Sequence, residues 1–229
     1  IDLITIIGGY KENKIFGVKA IEIENGVNIK DYKAYKELSE IETINIIGVG
    51  NISLRHGYDR VIKAISKIDR KKFRVNFYIV GKGDETENLK NLSTKLNIYN
   101  SQIFFCGVKN GSELEKIFCN AHIAIGNLGF HRINVKTSSA LKEREFMARG
   151  IPYIAVTIDK RLDLNIASVF KVENSEDDIC IEKIILKLKE KYNQKSFDYM
   201  RKFASENLNW ETSLSTLLKE INNYNNLYK

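Results

Sequence analysis

The side chains best suited to chemistry fall together in residues 126–150, GNLGFHRINVKTSSALKEREFMARG. His131, Arg132 and Lys136 place three basic groups in a connection that is long for this chain. Thr137, Ser138 and Ser139 then supply hydroxyls where a helical pattern begins. A helix start carries unpartnered N–H groups and the positive end of the backbone dipole, so hydroxyls and cations around it make an anion cradle. Lys142 and Glu145 follow three residues apart, with Leu141, Phe146 and Met147 assigned to the buried side. A plainer reading is a Ser N-cap and a solvated Lys–Glu pair. Taken with the cationic loop before it, the segment reads as a site for a diphosphate.

Two other segments invite the same question. GNISLRHGYD (50–59) sets Arg55 and His56 ahead of Gly57 and a helix start, where a phosphate would meet two cations and free N–H groups; a surface turn accounts for it equally well. VGKGDETE carries Lys82 between two glycines, yet it lacks the G-x-G-x-x-G fingerprint and is no Walker loop. GVKNGS offers Val108–Asn110 as an edge for a nucleotide base, or simply a turn through Gly111 into a helix capped by Ser112 and Glu115. His56, His122 and His131 show no metal-ligand spacing, so no metal is expected, and His122, opening an apolar run, reads as a satisfied core histidine. No nucleophile elbow is present.

The elements that must position these groups are legible as alternating apolar runs and helical patterns. Strands are expected at 43–50, 75–81, 102–107, 121–126, 151–156 and 168–172, and helices lie between the first five. This is the pattern of an α/β, doubly wound, Rossmann-like parallel sheet, which takes ligands beyond the carboxyl ends of its strands. Three amphipathic helices close the chain. Two short strands, ITIIGG and IEIE, open it and look like the stump of another domain. The expected division is residues 1–40 as that stump and linker, 41–208 as the Rossmann-like domain, and 209–229 as a helix returning toward the N-terminal side.

Composition narrows the function classes. The 229 residues are 43% hydrophobic with a net charge of +7, enough apolar material for a sizeable core. The positive excess is spread along the chain without interleaved aromatics, which argues against nucleic acid and leaves attraction to an anionic substrate or membrane surface open. Cys106, Cys119 and Cys180 are too scattered for a disulfide framework and read as buried thiols in a reducing cytoplasm. No run approaches the roughly 20 apolar residues of a membrane span. The chain opens at Ile1, without methionine and without the basic lead of a signal peptide, and reads as a fragment.

Taken in order, these pieces resemble the C-terminal half of GT-B glycosyltransferases of the group-1 or family-four type. IEIENGVNI looks like the family's crossing between domains, FYIVGKGDETENL like its "I-V-G-x-G" passage, LKEREFMARGIPYIAV like "E-A-M-A-x-G-x-P-V-V", and FASENLNWETSLSTLLKEINNY like its closing helix. The resemblance implies a bacterial, cytoplasmic enzyme of polysaccharide synthesis, peripheral to the membrane. It would transfer a sugar with retention from a nucleoside-diphosphate sugar, without a metal cofactor, to a glycan or lipid-linked acceptor held by an N-terminal domain. The fragment alone would be inactive. The resemblance would give Glu145 the donor ribose; with it, His131 near the sugar, Arg55 and Lys142 are the expected catalytic residues. His56, Gly57, Lys82, Arg132, Thr137, Ser138 and Ser139 are expected to bind the donor, with Val108 and Asn110 at the base. The family's first glutamate falls at Thr137, and its diphosphate Arg and Lys fall at Asn51 and His56. Those departures keep two alternatives in view: a GT-B nucleotide-sugar epimerase, and a non-catalytic nucleotide-binding module.

Overall fold

The computed structural model describes residues 3–7, 14–34, 42–156, 159, 161–162, 166, 168–191 and 193–227. The chain opens on a small sheet in which β3 (Val18–Ile23) pairs in parallel with β1 (Ile4–Ile7) and antiparallel with β2 (Lys14–Ile15). The expected boundary at residue 40 lies outside the described residues.

The body is a six-stranded parallel sheet of β4 (Thr43–Val49), β5 (Arg74–Val80), β6 (Ile103–Gly107), β7 (Ile123–Ile125), β8 (Tyr153–Ala155) and β9 (Val169–Lys171), ordered β6-β5-β4-β7-β8-β9. β4 is apolar on both faces because both are covered: Ile44 and Ile46 join one core cluster, Ile47 the other. The first cluster takes the stripe Tyr58, Val61, Ile62 and Ile65 of α1 (Tyr58–Ser66), Leu89 of α2 (Thr86–Lys95), and Ile181, Ile184, Ile185 and Leu188 of α5 (Ile181–Lys191). The second takes Phe118 of α3 (Gly111–Cys119), Phe146 and Met147 of α4 (Leu141–Arg149), and Met200 and Ala204 of α6 (Gln194–Asn207). Each buried Val, Leu, Ile, Phe or Met among them contributes roughly 1.5–3 kcal/mol. The result is the doubly wound fold that the strand–helix alternation implies. The last helix, α7 (Trp210–Leu227), contacts β3, where Lys19 pairs with Glu220 at 2.5 Å, and Trp210 packs directly on Gly26.

Local expectations fail at four places, each for a tertiary reason. α3 starts at Gly111 behind Asn110 with no side-chain cap, and Glu115 turns instead to Arg149 at 2.5 Å, so the Ser112–Glu115 capping box does not form. α4 starts at Leu141 rather than among the serines, and Ala140 stands at its N-cap. Leu141, assigned to the core, is 52% exposed, because that face of the first turn looks into an open cleft. Cys119 and Cys180 are exposed and Cys106 is half-buried, since the thiols lie on outward helix, loop and strand positions beside the buried residues. His122 is satisfied as expected: the Asn45 N–H donates to its Nδ1 at 2.8 Å.

Candidate functional site

The sheet order places β4 beside β7, and the chain leaves β4 for α1 on one face and β7 for α4 on the other. A crevice opens at such a reversal, outside the carboxyl ends of the two strands. It is present here as a cavity of about 470 Å³. Gly50 and Asn51 line it after β4, with Arg55 and His56 from the turn that follows; Asn127 lines it after β7; Ser138, Ser139, Lys142 and Glu145 come from the approach to α4 and its first two turns. Asn25, from the segment after β3, closes one wall.

The α4 terminus has the polarity an anion needs. Ala140 offers no capping side chain; the Glu143 N–H turns back to the Ala140 carbonyl at 3.2 Å, and the Leu141 and Lys142 N–H groups ahead of it have no partner among the described residues and are left to whatever occupies the cavity. Lys142 stands at that end. Its Nζ donates to the Gly126 carbonyl at 3.0 Å and lies 5.5 Å from the centre of the Tyr58 ring. Burial, chiefly, lowers its pKa; Glu143 opposes that shift and Arg55 adds to it. Glu143 is buried behind the wall, where burial raises its pKa and its Oε1 accepts the Asn127 N–H at 3.1 Å. The approach is close: a Cβ on Gly126 would come within 2.7 Å of that oxygen. Arg55 is exposed at the cavity rim and makes no ion pair among the described residues.

His56 enters the cavity as a neutral group, which corrects its reading as a cation. It is 2% exposed, and burial first, then the nearby Lys142 and Arg55 charges, press its pKa down to about 3. Its Nδ1 accepts the Ser53 N–H at 3.1 Å. The same Nδ1 lies 3.2 Å from the Ser53 hydroxyl and 3.3 Å from its carbonyl, and Nε2 faces Gly50 on the cavity lining.

Glu145 is held in place. Arg149 reaches its Oε1 through Nη2 at 2.8 Å and Nε at 2.9 Å, while also binding Glu115 and stacking on Phe118 with its guanidinium 4.1 Å from the ring centre. Burial raises the Glu145 pKa against the pull of Arg149. The carboxylate thus has one oxygen tied and one side on the cavity.

Several expected members stand elsewhere. Arg132 is taken by two carboxylates, Asp59 (2.6 and 2.9 Å) and Glu176 (2.6 and 2.7 Å), and does not line the cavity. His131 binds the same Glu176 at 2.7 Å; these bonds hold the Glu176 carboxyl down to about 2. Both residues therefore pin the loop after β7 to the loop before α5. They are not free to meet a phosphate or a sugar. Arg132→Ala is accordingly expected to cost about 1 kcal/mol of stability, read by thermal unfolding. Ser139 is buried, its hydroxyl accepting from the Asn25 N–H and from Arg144, both at 2.8 Å, and its carbonyl accepting from the Asn25 side-chain amide at 2.5 Å. Thr137 and Gly57 do not line the cavity, and Gly57 packs against Leu128. Lys82, Val108 and Asn110 are exposed at the carboxyl ends of β5 and β6, outside the cavity lining. The Gly81-Lys82-Gly83 passage has a packing cause: a Cβ on Gly81, at φ +122°, would overlap the Gly50 carbonyl, and one on Gly83 would overlap that of Ile52.

Asn127, Asn25, Glu143 and Arg149 were not singled out by the sequence. Asn127 follows β7 directly, where the rule of looking past each apolar run points. The other three gain their roles from distant partners. Among the described residues, no group of three His, Cys, Asp or Glu side chains is placed to hold a metal, and no helix is long and apolar enough to cross a membrane.

Comparison with known proteins meets this geometry. Residues 30–206 match the family model described as glycosyl transferases group 1. An uncharacterized glycosyltransferase of Haemophilus influenzae is 34% identical over 86 residues, covering 36% of this chain and 24% of that protein. Among solved structures, sucrose-phosphate synthase from Thermosynechococcus elongatus superposes with a TM-score of 0.68 at 16% identity, covering 92% of this chain and 53% of that one. HepE from Anabaena, solved in complex with UDP-glucose, superposes with a TM-score of 0.67 at 14% identity, covering 90% of this chain and 58% of that one. The chain thus spans about half the length of these structures and about a quarter of the curated relative.

Proposed function

This chain belongs to the group 1 glycosyl transferases, and from that premise we propose that it is the donor-binding part of an enzyme that transfers a sugar from a nucleoside-diphosphate sugar. The acceptor in this reading is a glycan or lipid-linked saccharide of cell-surface polysaccharide synthesis, met at the cytoplasmic face of the membrane. Because the chain spans about half of the matched structures, transfer is proposed for the whole protein and donor binding for this part, with residues 1–40 and 209–229 belonging to the junction with an acceptor domain.

One observation carries the reading. The open N-terminus of α4, Lys142 and Arg55 converge on one cavity at the carboxyl ends of β4 and β7. When the bond between the sugar's anomeric carbon and the phosphate oxygen breaks, negative charge grows on the β-phosphate. Fixed N–H groups, an ammonium and a guanidinium stabilise that charge without rearranging and without a metal. His56 adds a neutral imidazole in place of the cation the resemblance assigns there. Glu145, steadied by Arg149, suits the ribose hydroxyls, and the exposed Val108–Asn110 edge suits the base. Retention of configuration follows the resemblance.

Calorimetry with UDP and with GDP tests the reading. At least one binds, and Glu145→Ala weakens it about 10-fold or more, the loss of a hydrogen bond to a charged group. Failure of both nucleotides to bind, or full affinity in Glu145→Ala, contradicts the assignment.

A further inference from the structure

Among the described residues, Asn127 lines the cavity with a side-chain oxygen that the chain leaves unanswered. It is 5% exposed, and its side-chain oxygen is buried with no hydrogen-bond partner among the described residues. A buried amide in that state costs on the order of 1–3 kcal/mol unless a ligand completes it. The backbone around it is fixed from both sides: its N–H donates to Glu143 Oε1 at 3.1 Å, and its carbonyl accepts the Val156 N–H at 3.4 Å. The carboxamide is therefore held at the cavity wall as a preset group.

Its position and chemistry both select the partner. Lys142, whose ammonium sits on the neighbouring Gly126 carbonyl, lines the same cavity as Asn127 and as Glu145 with its Arg149 clamp. Asn127 and His56 are neighbours there, since the Leu128 N–H donates to the His56 carbonyl at 3.2 Å, and with a diphosphate at Lys142 and ribose at Glu145 they are left for the group beyond the β-phosphate. An unfilled acceptor needs a donor, and a phosphate at neutral pH has none, whereas a sugar hydroxyl both gives and accepts. The chain also carries Thr137 where the family resemblance expects an acid. We infer that the Asn127 carboxamide binds a hydroxyl of the transferred sugar and so helps set which donor sugar is accepted. This rests on the donor-binding reading above.

The test compares each sugar nucleotide with its parent diphosphate on the same chain. UDP-glucose, UDP-galactose, UDP-N-acetylglucosamine and GDP-mannose are titrated against UDP and GDP, with wild type, Asn127→Ala and Asn127→Ser. In Asn127→Ala the affinity for the parent diphosphate stays within about twofold, while the affinity for at least one sugar nucleotide, relative to its parent, falls roughly 5- to 10-fold. Asn127→Ser, which keeps a hydroxyl, recovers part of that ratio. If the ratio is unchanged for every member of the panel, or if parent and sugar nucleotide weaken together in both variants, the inference is overturned while the donor site stands. If wild type binds no nucleotide, the donor reading falls and this inference falls with it.

Discussion

Lys142→Met is expected to weaken binding of whichever of UDP and GDP the proposed donor site takes roughly 10- to 100-fold, with little loss of thermal stability. A charge-assisted hydrogen bond to a phosphate contributes about 1.5–3 kcal/mol, and few other cations remain. Asn51 stands where the resemblance expects an arginine, His56 is neutral, and Arg132 is spent on Asp59 and Glu176. Stability is spared because a buried ammonium with a lowered pKa contributes little to the fold. The same shift fixes a pH dependence. Burial, chiefly, holds the Lys142 ammonium below its ordinary pKa of 10.5, so the free cavity releases this proton at lower pH than a solvated lysine does. A bound diphosphate favours the ammonium and raises its pKa again. Between those two values binding takes up a proton, and affinity for the nucleoside diphosphate falls as pH rises through the window. Calorimetry in two buffers of different ionisation enthalpy reads the uptake directly, and Lys142→Met abolishes it. His56, neutral well below this window, adds nothing to it. An affinity independent of pH, with no buffer effect, would remove Lys142 from the diphosphate site.

Arg144→Met is expected to lower stability by about 3–5 kcal/mol, the cost of breaking a buried ion pair from one side. For a chain of this size that is a fall in Tm of about 6–20 °C. Arg144 is fully buried and bridges three parts of the chain: Glu24 after β3 at 3.0 Å, Asp159 beyond β8 at 2.8 Å, and the Ser139 hydroxyl. Burial already raises the Asp159 pKa, and Arg144 is the main opposing charge. Without it Asp159 must take a proton or be exposed. The double variant Arg144→Met with Asp159→Leu should recover much of the loss, since the desolvated charge leaves with its partner. A single variant as stable as wild type, measured by urea unfolding, would refute this role.

How far the sequence carried is clearest at β4 and α4. TINIIGV could be placed because a strand buried on both faces must be apolar throughout, and that signal is local. The approach to α4 misled because three hydroxyl residues look like a cap, yet Ser139 answers to Asn25, 114 residues away. Arg132 looked free for the same reason: its partners Asp59 and Glu176 are 73 and 44 residues distant, and nothing near it in the chain announces them. His56 shows a third kind of limit. Its position was legible, but its charge is set by burial that only the packed turn over β4 creates. The expected residues that line the cavity with side chains open to it, Arg55, His56, Ser138, Lys142 and Glu145, are those that the carboxyl-end rule selects, and the same rule covers Asn127.

A crystal structure of the chain with UDP tests the diphosphate assignment most directly. The β-phosphate should lie within about 3 Å of an N–H in the first turn of α4 and of the Lys142 ammonium, with the ribose against Glu145. A diphosphate seated elsewhere, such as on the Arg132 and His131 loop, with the α4 terminus left to solvent, would contradict it.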